Sequence, residues 1–238
     1  MKTENDNFYN NLWSDRWGDM QKYGPIHRHH KRFLEKLVLN TSYNSILDVG
    51  CGNGENLIYL QRYFPHARLT GIDISHKAFE TREDVLPDIR FRELDITTGF
   101  IQEHYDLIIC FDVLEHIEND LMALKNMHRM ANKHLIVSTL EGTMRDFEKE
   151  IGHLRNYQKG ELEDKLNRSG FKILKKINWG FPFYSPVYRS MLNCDSFNKQ
   201  TYGQYSKFKI FLCNILYYLF YLSVPLKGDI VFVLAEKV

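Results

Sequence analysis

One short stretch constrains the fold of this chain more than any other: residues 45–54 have the sequence SILDVGCGNG. An apolar run that ends in three glycines at alternate positions, before a helical pattern, predicts a strand, a tight loop and the start of a helix. Because glycine lacks a Cβ atom, this loop can adopt positive φ and approach a bulky ligand beside the helix N-terminus. The spacing differs from the G-x-G-x-x-G of dinucleotide sites, so the loop alone leaves a ligand-free turn open.

Acidic residues accompany the next apolar segments. Segment 69–74 carries Asp73, about 20 residues beyond the loop, where an adenosine ribose needs a carboxylate for its hydroxyls. Segment 91–96 carries Asp95, and segment 105–116 supplies a fourth strand. In open α/β sheets ligands bind at the carboxyl ends of the strands, so these residues predict a nucleoside site there.

Four motifs in this order and spacing, DVGCGNG, GIDIS, ELDI and DVLEHI, resemble those of class I S-adenosylmethionine (SAM) dependent methyltransferases, among them the small-molecule and ubiquinone-biosynthesis group. The resemblance covers residues 45–170. It implies S-adenosyl-L-methionine as cofactor, S-adenosyl-L-homocysteine as product and no metal.

The resemblance also implies roles for individual residues. The glycine loop would line the methionine part of the cofactor, Asp73 would bind the ribose, and Asp95 would bind the adenine amino group. Phe111 and Asp112 would offer backbone contacts near the reacting methyl. The complete implied cofactor set is Asp48, Gly50, Cys51, Gly52, Gly54, Asp73, Ile74, Asp95, Ile96, Phe111 and Asp112.

The alternation of strand and helix patterns predicts an α/β fold with a parallel sheet covered by helices on both faces. By the resemblance it is a Rossmann-like, seven-stranded, mostly parallel sheet whose last strand is antiparallel. We expect four parts: an N-terminal helical lid at 1–44, a SAM-binding core at 45–180, an insertion covering the acceptor site at 181–228 and the last core strand at 229–238.

Local signals predict several helices. Leu57, Leu60 and Phe64 mark one that stops at Pro65, and Asn119 is a predicted N-cap. Further helices are expected around 77–84 and at 161–168, the latter closed by a glycine.

The predicted lid contains aromatic residues before position 24 and then a helix that begins at Pro25. His27, His29 and His30 could be metal ligands. Because no acidic or cysteine ligand accompanies them in the sequence, we interpret them instead as a solvated, basic helix start.

The insertion is aromatic at 181–189 and almost wholly apolar at 210–224. The apolar run is shorter than the roughly 20 residues that span a bilayer. Three alternatives stay open for it: a buried helix, a contact with a partner subunit such as a homodimer, and a peripheral membrane or lipid contact through 208–226. Of these we prefer a buried helix or a contact with a partner subunit. Lys199, Lys207, Lys209 and Lys227 flank the run and lend support to the membrane alternative.

Two histidines are candidates for a general base, which an alcohol or phenol acceptor would need. We prefer His153, in the loop after the fifth predicted strand, over His116, whose Glu-His context has a structural role in the resembled family. Five residues are predicted to bind the acceptor: Arg145, Arg155, Tyr157, Tyr184 and Arg189. The arginines would suit an anionic group, or form salt bridges to Asp146, Glu148 and Glu150 instead.

We therefore expect a biosynthetic methyltransferase acting on oxygen or nitrogen of a small metabolite, with an anionic or lipid-linked acceptor as variants. A nucleic-acid or protein methyltransferase is the alternative enzyme, disfavoured for nucleic acid by the net charge of +1. A non-catalytic SAM-binding scaffold is the alternative of another class. Four cysteines without C-x-x-C pairing indicate a reducing, cytoplasmic setting, with the inner membrane face as a variant.

Overall fold

The structure is a computed structural model that describes residues 4–15, 17–38, 41–194, 198–199, 201–224 and 227–238. The remaining positions of the predicted lid, at 1–3, 16 and 39–40, and of the predicted insertion, at 195–197, 200 and 225–226, lie outside the described residues.

A seven-stranded sheet in the order β3-β2-β1-β4-β5-β7-β6 forms the centre of the molecule. Its strands are β1 Ser45–Val49, β2 Arg68–Asp73, β3 Ile89–Glu93, β4 Tyr105–Phe111, β5 Ala131–Leu140, β6 Phe171–Trp179 and β7 Ile230–Lys237. The first five strands pair in parallel, and β7 inserts antiparallel between β5 and β6. The predicted fold class is confirmed.

The strand sequences explain the position of the sheet. Every residue of β1 and β4 is buried, which matches the near-continuous apolar runs of strands covered on both faces. One hydrophobic cluster, with Leu124 and Leu162, lies on one face, and a second, with Phe33 and Leu57, lies on the other. Both faces of the sheet are therefore closed by helices, as predicted.

The α-helices include α1 Glu4–Asp15, α2 Met20–Tyr23, α3 Pro25–Val38, α4 Glu55–Gln61, α5 Asp120–Met130, α6 Asp146–Glu150, α7 Glu161–Arg168, α8 Arg189–Met191 and α9 Lys207–Tyr221. The predicted N-cap is confirmed, because the Asn119 side chain accepts a hydrogen bond from the Met122 N–H at 3.2 Å. Helix α7 has the predicted bounds.

The helix predicted around 77–84 is wrong. Only a single 3-10 turn forms, at His76–Ala78, and turns follow it. In this segment Ala78 and Phe79 are buried while most of residues 80–88 are exposed. Without an apolar stripe to pack on the sheet, so short a helix does not recover the cost of its nucleation.

The N-terminal helices divide into two roles. Helix α3 packs on the sheet through buried side chains such as Phe33, whose ring lies 4.7 Å from that of Phe232. The residues that cover the cavity at the carboxyl ends of the strands come mainly from α1, α2 and the first turn of α3.

Helix α9 is the longest helix in the described part of the insertion, and it packs against α3 and α2. Among the described residues, none of the helices combines the length and apolarity that crossing a bilayer requires.

Candidate active site

A cavity of about 750 Å³ opens at the carboxyl ends of the parallel strands. Its size and place are those of a ligand site in an open α/β sheet. The predicted site residues that line it are Gly50, Asp73, Ile74, Asp95, Ile96, Phe111, Asp112, His116, His153 and Tyr184. Those outside its lining are Asp48, Cys51, Gly52, Gly54, Arg145, Arg155, Tyr157 and Arg189.

The glycine loop between β1 and α4 forms one wall. Gly50 has φ of +70°, and a Cβ atom added there would lie 2.1 Å from Val113 Cγ2. Gly52 also has positive φ, and its Cβ would lie 2.7 Å from the Trp13 ring of α1. The loop thus requires glycine at both positions, and α1 closes directly over it.

Asp73, at the end of β2, is held by two backbone donors. The N–H groups of Gly52 and Ser75 each donate to its carboxylate at 2.9 Å. Burial nevertheless raises the pKa of Asp73 to about 6, against the lowering effect of these hydrogen bonds. A ribose hydroxyl bound here would donate a further hydrogen bond to a carboxylate that is shielded from water.

Asp95 follows β3 and lies in the same wall. Its Oδ1 atom accepts hydrogen bonds from the Thr97 N–H at 2.8 Å and the Thr97 hydroxyl at 2.7 Å. The Asn126 amide donates to the Ile96 carbonyl at 2.8 Å and fixes the adjoining backbone. The carboxylate is therefore preset in orientation at the cavity.

These walls fit an adenosyl sulfonium cofactor. The loop has no side chain at Gly50. The carboxylates of Asp73 and Asp95 follow neighbouring strands, with Ile74 and Ile96 beside them. A pair of carboxylates, one buried and one partly exposed, with apolar neighbours suits ribose hydroxyls, an exocyclic amine and a flat ring.

Two predicted residues lie beneath the loop instead of in the cavity. Asp48 is buried and accepts a long, 3.5 Å hydrogen bond from the Asn56 amide, and burial holds its pKa well above the usual range. The Cys51 thiol is buried too, and burial raises its pKa. Their predicted contacts with the cofactor stay predictions.

The interpretation of the histidines as a solvated helix start is wrong. His29 and His30 are buried, and His30 Nδ1 lies 3.2 Å from Asp112 Oδ2. The acidic partner that the local sequence lacked comes from the end of β4, a connection visible only in the fold. Burial lowers the pKa of His27, on the same helix, to about 4.

Asp112 has φ of +56°, the left-handed region that side chains other than glycine rarely adopt. Strain of this kind concentrates at functional sites. Burial alone would raise the pKa of Asp112, but the neighbouring His30 lowers it below its usual value. The carboxylate therefore stays charged at the edge of the cavity.

A second cluster combines Glu115, His116 and His153. The two imidazole rings meet edge to face with centroids 4.5 Å apart. Burial lowers the pKa of His116 to about 3 and also lowers that of His153. Burial, followed by the charge of Asp112, raises the pKa of Glu115 to about 8. Both histidines are thus neutral at neutral pH, the state in which an imidazole accepts a proton.

His153 is positioned by a short network. Its Nδ1 atom lies 3.5 Å from Asn156 Oδ1, and the Asn156 amide donates to Glu148 Oε2 at 2.9 Å. This arrangement fixes the orientation of the His153 ring, and the residue lines the cavity.

His27, His30 and Asp112 form a first cluster, beside the second cluster of Glu115, His116 and His153. Within each cluster the ligand atoms lie within 4.8 Å of one another, and they are N and O atoms of the kind that bind divalent cations. In the first cluster, His30 Nδ1 already contacts the Asp112 carboxylate directly. We assign no metal to either cluster.

The arginines predicted to bind the acceptor lie outside the cavity. Arg189 is fully buried, with Nε 2.5 Å from Glu148 Oε1 and Nη1 2.5 Å from Asp229 Oδ2. Arg155 pairs with Asp120 at 3.0 Å, and Arg145 donates to the Ser185 carbonyl at 3.0 Å. The alternative of a salt bridge to Glu148 is therefore found for Arg189.

Replacing Arg189 with methionine is expected to destabilise the protein by about 3–5 kcal/mol, because the buried Glu148 carboxylate and the partly exposed Asp229 carboxylate lose their counter-ion. Thermal unfolding should show a fall in Tm of about 10 °C. Arg145→Met, which removes one hydrogen bond at a partly exposed position, should lower the Tm far less. Equal stability of Arg189→Met and the wild type would contradict this assignment.

The sheet order, the antiparallel β7 and the placement of the glycine loop and two acids define the class I methyltransferase fold. Residues 20–176 match the model of a family described as "Methyltransferase domain", more than half of the chain. The chain belongs to this family.

Individual relatives agree with this assignment. A ubiquinone biosynthesis O-methyltransferase of Rickettsia felis is 29% identical over 144 residues, covering 55% of this chain and 58% of that protein. Its counterpart from Rickettsia typhi is 31% identical over 146 residues, with the same two coverages. The chain spans less than two thirds of the length of these curated relatives.

Among solved structures, the N-methyltransferase NodS from Bradyrhizobium japonicum WM9, in complex with S-adenosyl-L-homocysteine, has a TM-score of 0.62. The match covers 98% of this chain and 99% of that one at 18% sequence identity. This likeness shows the fold alone.

Proposed function

We propose that this chain is a SAM-dependent methyltransferase that acts on oxygen or nitrogen of a small molecule. One observation carries the proposal: a single cavity is lined both by the adenosyl-type wall of Gly50, Asp73 and Asp95 and by the neutral histidines His116 and His153. Cofactor and acceptor can therefore meet in one enclosed volume.

The bound cofactor would supply an electrophilic methyl group, and the protein would supply alignment, dryness and a base. Tyr9 and Trp13 of α1 line the cavity above the glycine loop and would exclude water. The ring of Tyr9 meets His116 edge to face at 5.7 Å, which connects this cover to the acceptor side. His153, neutral and held by Asn156, would accept the proton of an alcohol or phenol.

The acceptor wall indicates the chemistry of the substrate. Tyr184, Tyr188 and Leu216 give it an apolar, aromatic surface, and Lys209 is the one Lys or Arg in its described lining. This combination supports an acceptor with a large apolar part and an anionic group. The relatives named ubiquinone biosynthesis O-methyltransferases favour oxygen as the methylated atom and a biosynthetic setting.

The activity is tested by incubating the protein with methyl-labelled SAM and a metabolite extract that also contains RNA and protein. We expect the label in the small-molecule fraction. Label confined to RNA or protein would contradict the proposed acceptor class, and bound cofactor without any transfer would support the scaffold alternative instead.

His153→Ala is expected to lower turnover of an oxygen acceptor by about 10²–10⁴-fold while SAM affinity stays within a factor of two or so. The wild-type rate should also fall at low pH as His153 takes up a proton, and the variant should lack this dependence. His66→Ala is the matched control, since His66 is exposed outside the cavity lining. Wild-type turnover in His153→Ala would remove the base from the mechanism.

A further inference from the structure

Helix α9, Lys207–Tyr221, has an inner face that the rest of the protein holds in place. Cys213 and Phe220 are buried on it. The Arg28 guanidinium donates to Asn214 Oδ1 at 2.7 Å, and His29 Nε2 lies 3.0 Å from the Tyr217 carbonyl oxygen. The helix is therefore docked on α3 with a defined rotation.

This rotation leaves an apolar outer face exposed. At roughly 100° per residue, six side chains fall on one side of the helix and its C-terminal extension. They are Phe208, Phe211, Ile215, Tyr218, Leu219 and Leu222, with exposures from 37% at Leu219 to 70% at Phe208. We call these six residues the outer face. Soluble monomers rarely expose a continuous apolar surface of this kind without a binding role.

The charged residues of the segment that carries the outer face have one sign. Residues 196–228 contain no Asp or Glu, but they contain Lys199, Lys207, Lys209 and Lys227. Exposed lysines therefore stand at both ends of α9, and the Arg32 guanidinium lies 4.3 Å from the centre of the Tyr221 ring. Apolar residues framed by cations are typical of helices that lie on anionic membranes.

This charge pattern also distinguishes a membrane from a second copy of the chain. Pairing two outer faces would bring the lysines of both copies together, which costs free energy. Anionic headgroups would instead neutralise them. Because 15 residues are too few to span roughly 30 Å of hydrocarbon, the helix would lie along the surface.

The same helix borders the cavity. Leu212, Cys213 and Leu216 line it, and Leu212 is also 41% exposed beside the outer face. An apolar path thus leads from the outer face to the acceptor wall.

We propose that the outer face docks the protein on an anionic lipid bilayer, and that the cavity behind α9 takes its acceptor from that bilayer. The acceptor is then an amphipathic lipid whose tail stays near Leu212 and Leu216 while its head reaches His153. The second half of this proposal rests on the proposed function, whereas the docking half does not.

Docking is tested by sedimenting the full chain with phosphatidylcholine vesicles that contain or lack phosphatidylglycerol, with neither cofactor nor acceptor present. We expect binding to the anionic vesicles that weakens as salt is added. Phe211→Glu and Tyr218→Glu should each lower the partition coefficient at least about tenfold, because an aromatic side chain that would insert into the bilayer is replaced by a charge. Val85→Glu, at a position 66% exposed between β2 and β3, is the matched control and should bind as the wild type does.

Three results would overturn docking: wild-type protein that stays in the supernatant, variants that bind as tightly as the control, or a wild-type dimer in sedimentation velocity that Phe211→Glu dissociates. The acceptor half has a separate readout. Methyl label recovered in the chloroform-soluble fraction of a lipid extract supports it, and label only in the aqueous fraction overturns it even if the protein binds vesicles.

Discussion

Gly50→Ala is expected to weaken SAM binding by at least about 100-fold. The new Cβ would meet Val113 Cγ2 at 2.1 Å, and alanine is disfavoured at φ of +70°. Left-handed backbone costs an alanine about 1–2 kcal/mol, and overpacking adds about 1–3 kcal/mol. Because the loop must shift to relieve this clash, the cofactor wall moves with it. Each 1.4 kcal/mol lost is about tenfold in affinity.

Calorimetric titration with SAM measures the effect, and circular dichroism checks that the variant is folded. Gly142→Ala is the matched control, since Gly142 has φ of +89° but a Cβ atom added there would meet nothing within 4 Å, and the residue lies outside the cavity lining. It carries the backbone strain without the clash. Wild-type affinity in Gly50→Ala would show that this wall does not contact the cofactor.

Asp73→Asn is expected to lower SAM affinity by about 10–100-fold at neutral pH, since charge-assisted hydrogen bonds contribute about 1.5–3 kcal/mol. The amide would also present N–H groups to the backbone donors of Gly52 or Ser75. An exposed acid outside the cavity lining, Asp88, provides the control variant Asp88→Asn.

The affinity for SAM should also change with pH in a defined direction. Burial places the pKa of Asp73 near 6 in the free protein, so below that value the carboxyl is mostly protonated. Ribose hydroxyls donate to the ionised form, so the pKa falls on binding and the proton must leave. Affinity should therefore rise as pH increases through about 6 and level off above it. In Asp73→Asn this rise should disappear; a wild-type profile that falls with pH would contradict the assignment.

The placement of Gly50, Asp73 and Asp95 at the cavity was predictable because its signals are local. Each strand carries its own motif, and parallel strands bring their carboxyl ends to one edge by construction. These placements therefore needed no knowledge of long-range contacts.

The acceptor half depends on contacts that the sequence does not encode locally. His30 and Asp112 are far apart in the chain and meet only because α3 crosses the end of β4. Arg189, predicted at the acceptor, is buried by Glu148 and Asp229, which also come from distant segments. A single sequence shows that an arginine lies in a predicted loop, but it does not show where the side chain points.

The faces of helix α9 could not be predicted from the sequence either. The apolar run at 210–224 was visible in the sequence, but apolar residues occur all around the helix. Only packing on α3 determines which of them line the cavity and which form the outer face. Hydrophobic periodicity alone does not separate these surfaces.

The central claim is that the cavity at the carboxyl ends of β1, β2 and β4 holds an adenosyl sulfonium. Isothermal titration of the full chain with SAM, and separately with S-adenosyl-L-homocysteine and NAD, tests it most directly. We predict saturable heat with a single site per chain for both adenosyl compounds and none for NAD. Absence of heat with both adenosyl compounds, or tighter binding of NAD, would contradict the account.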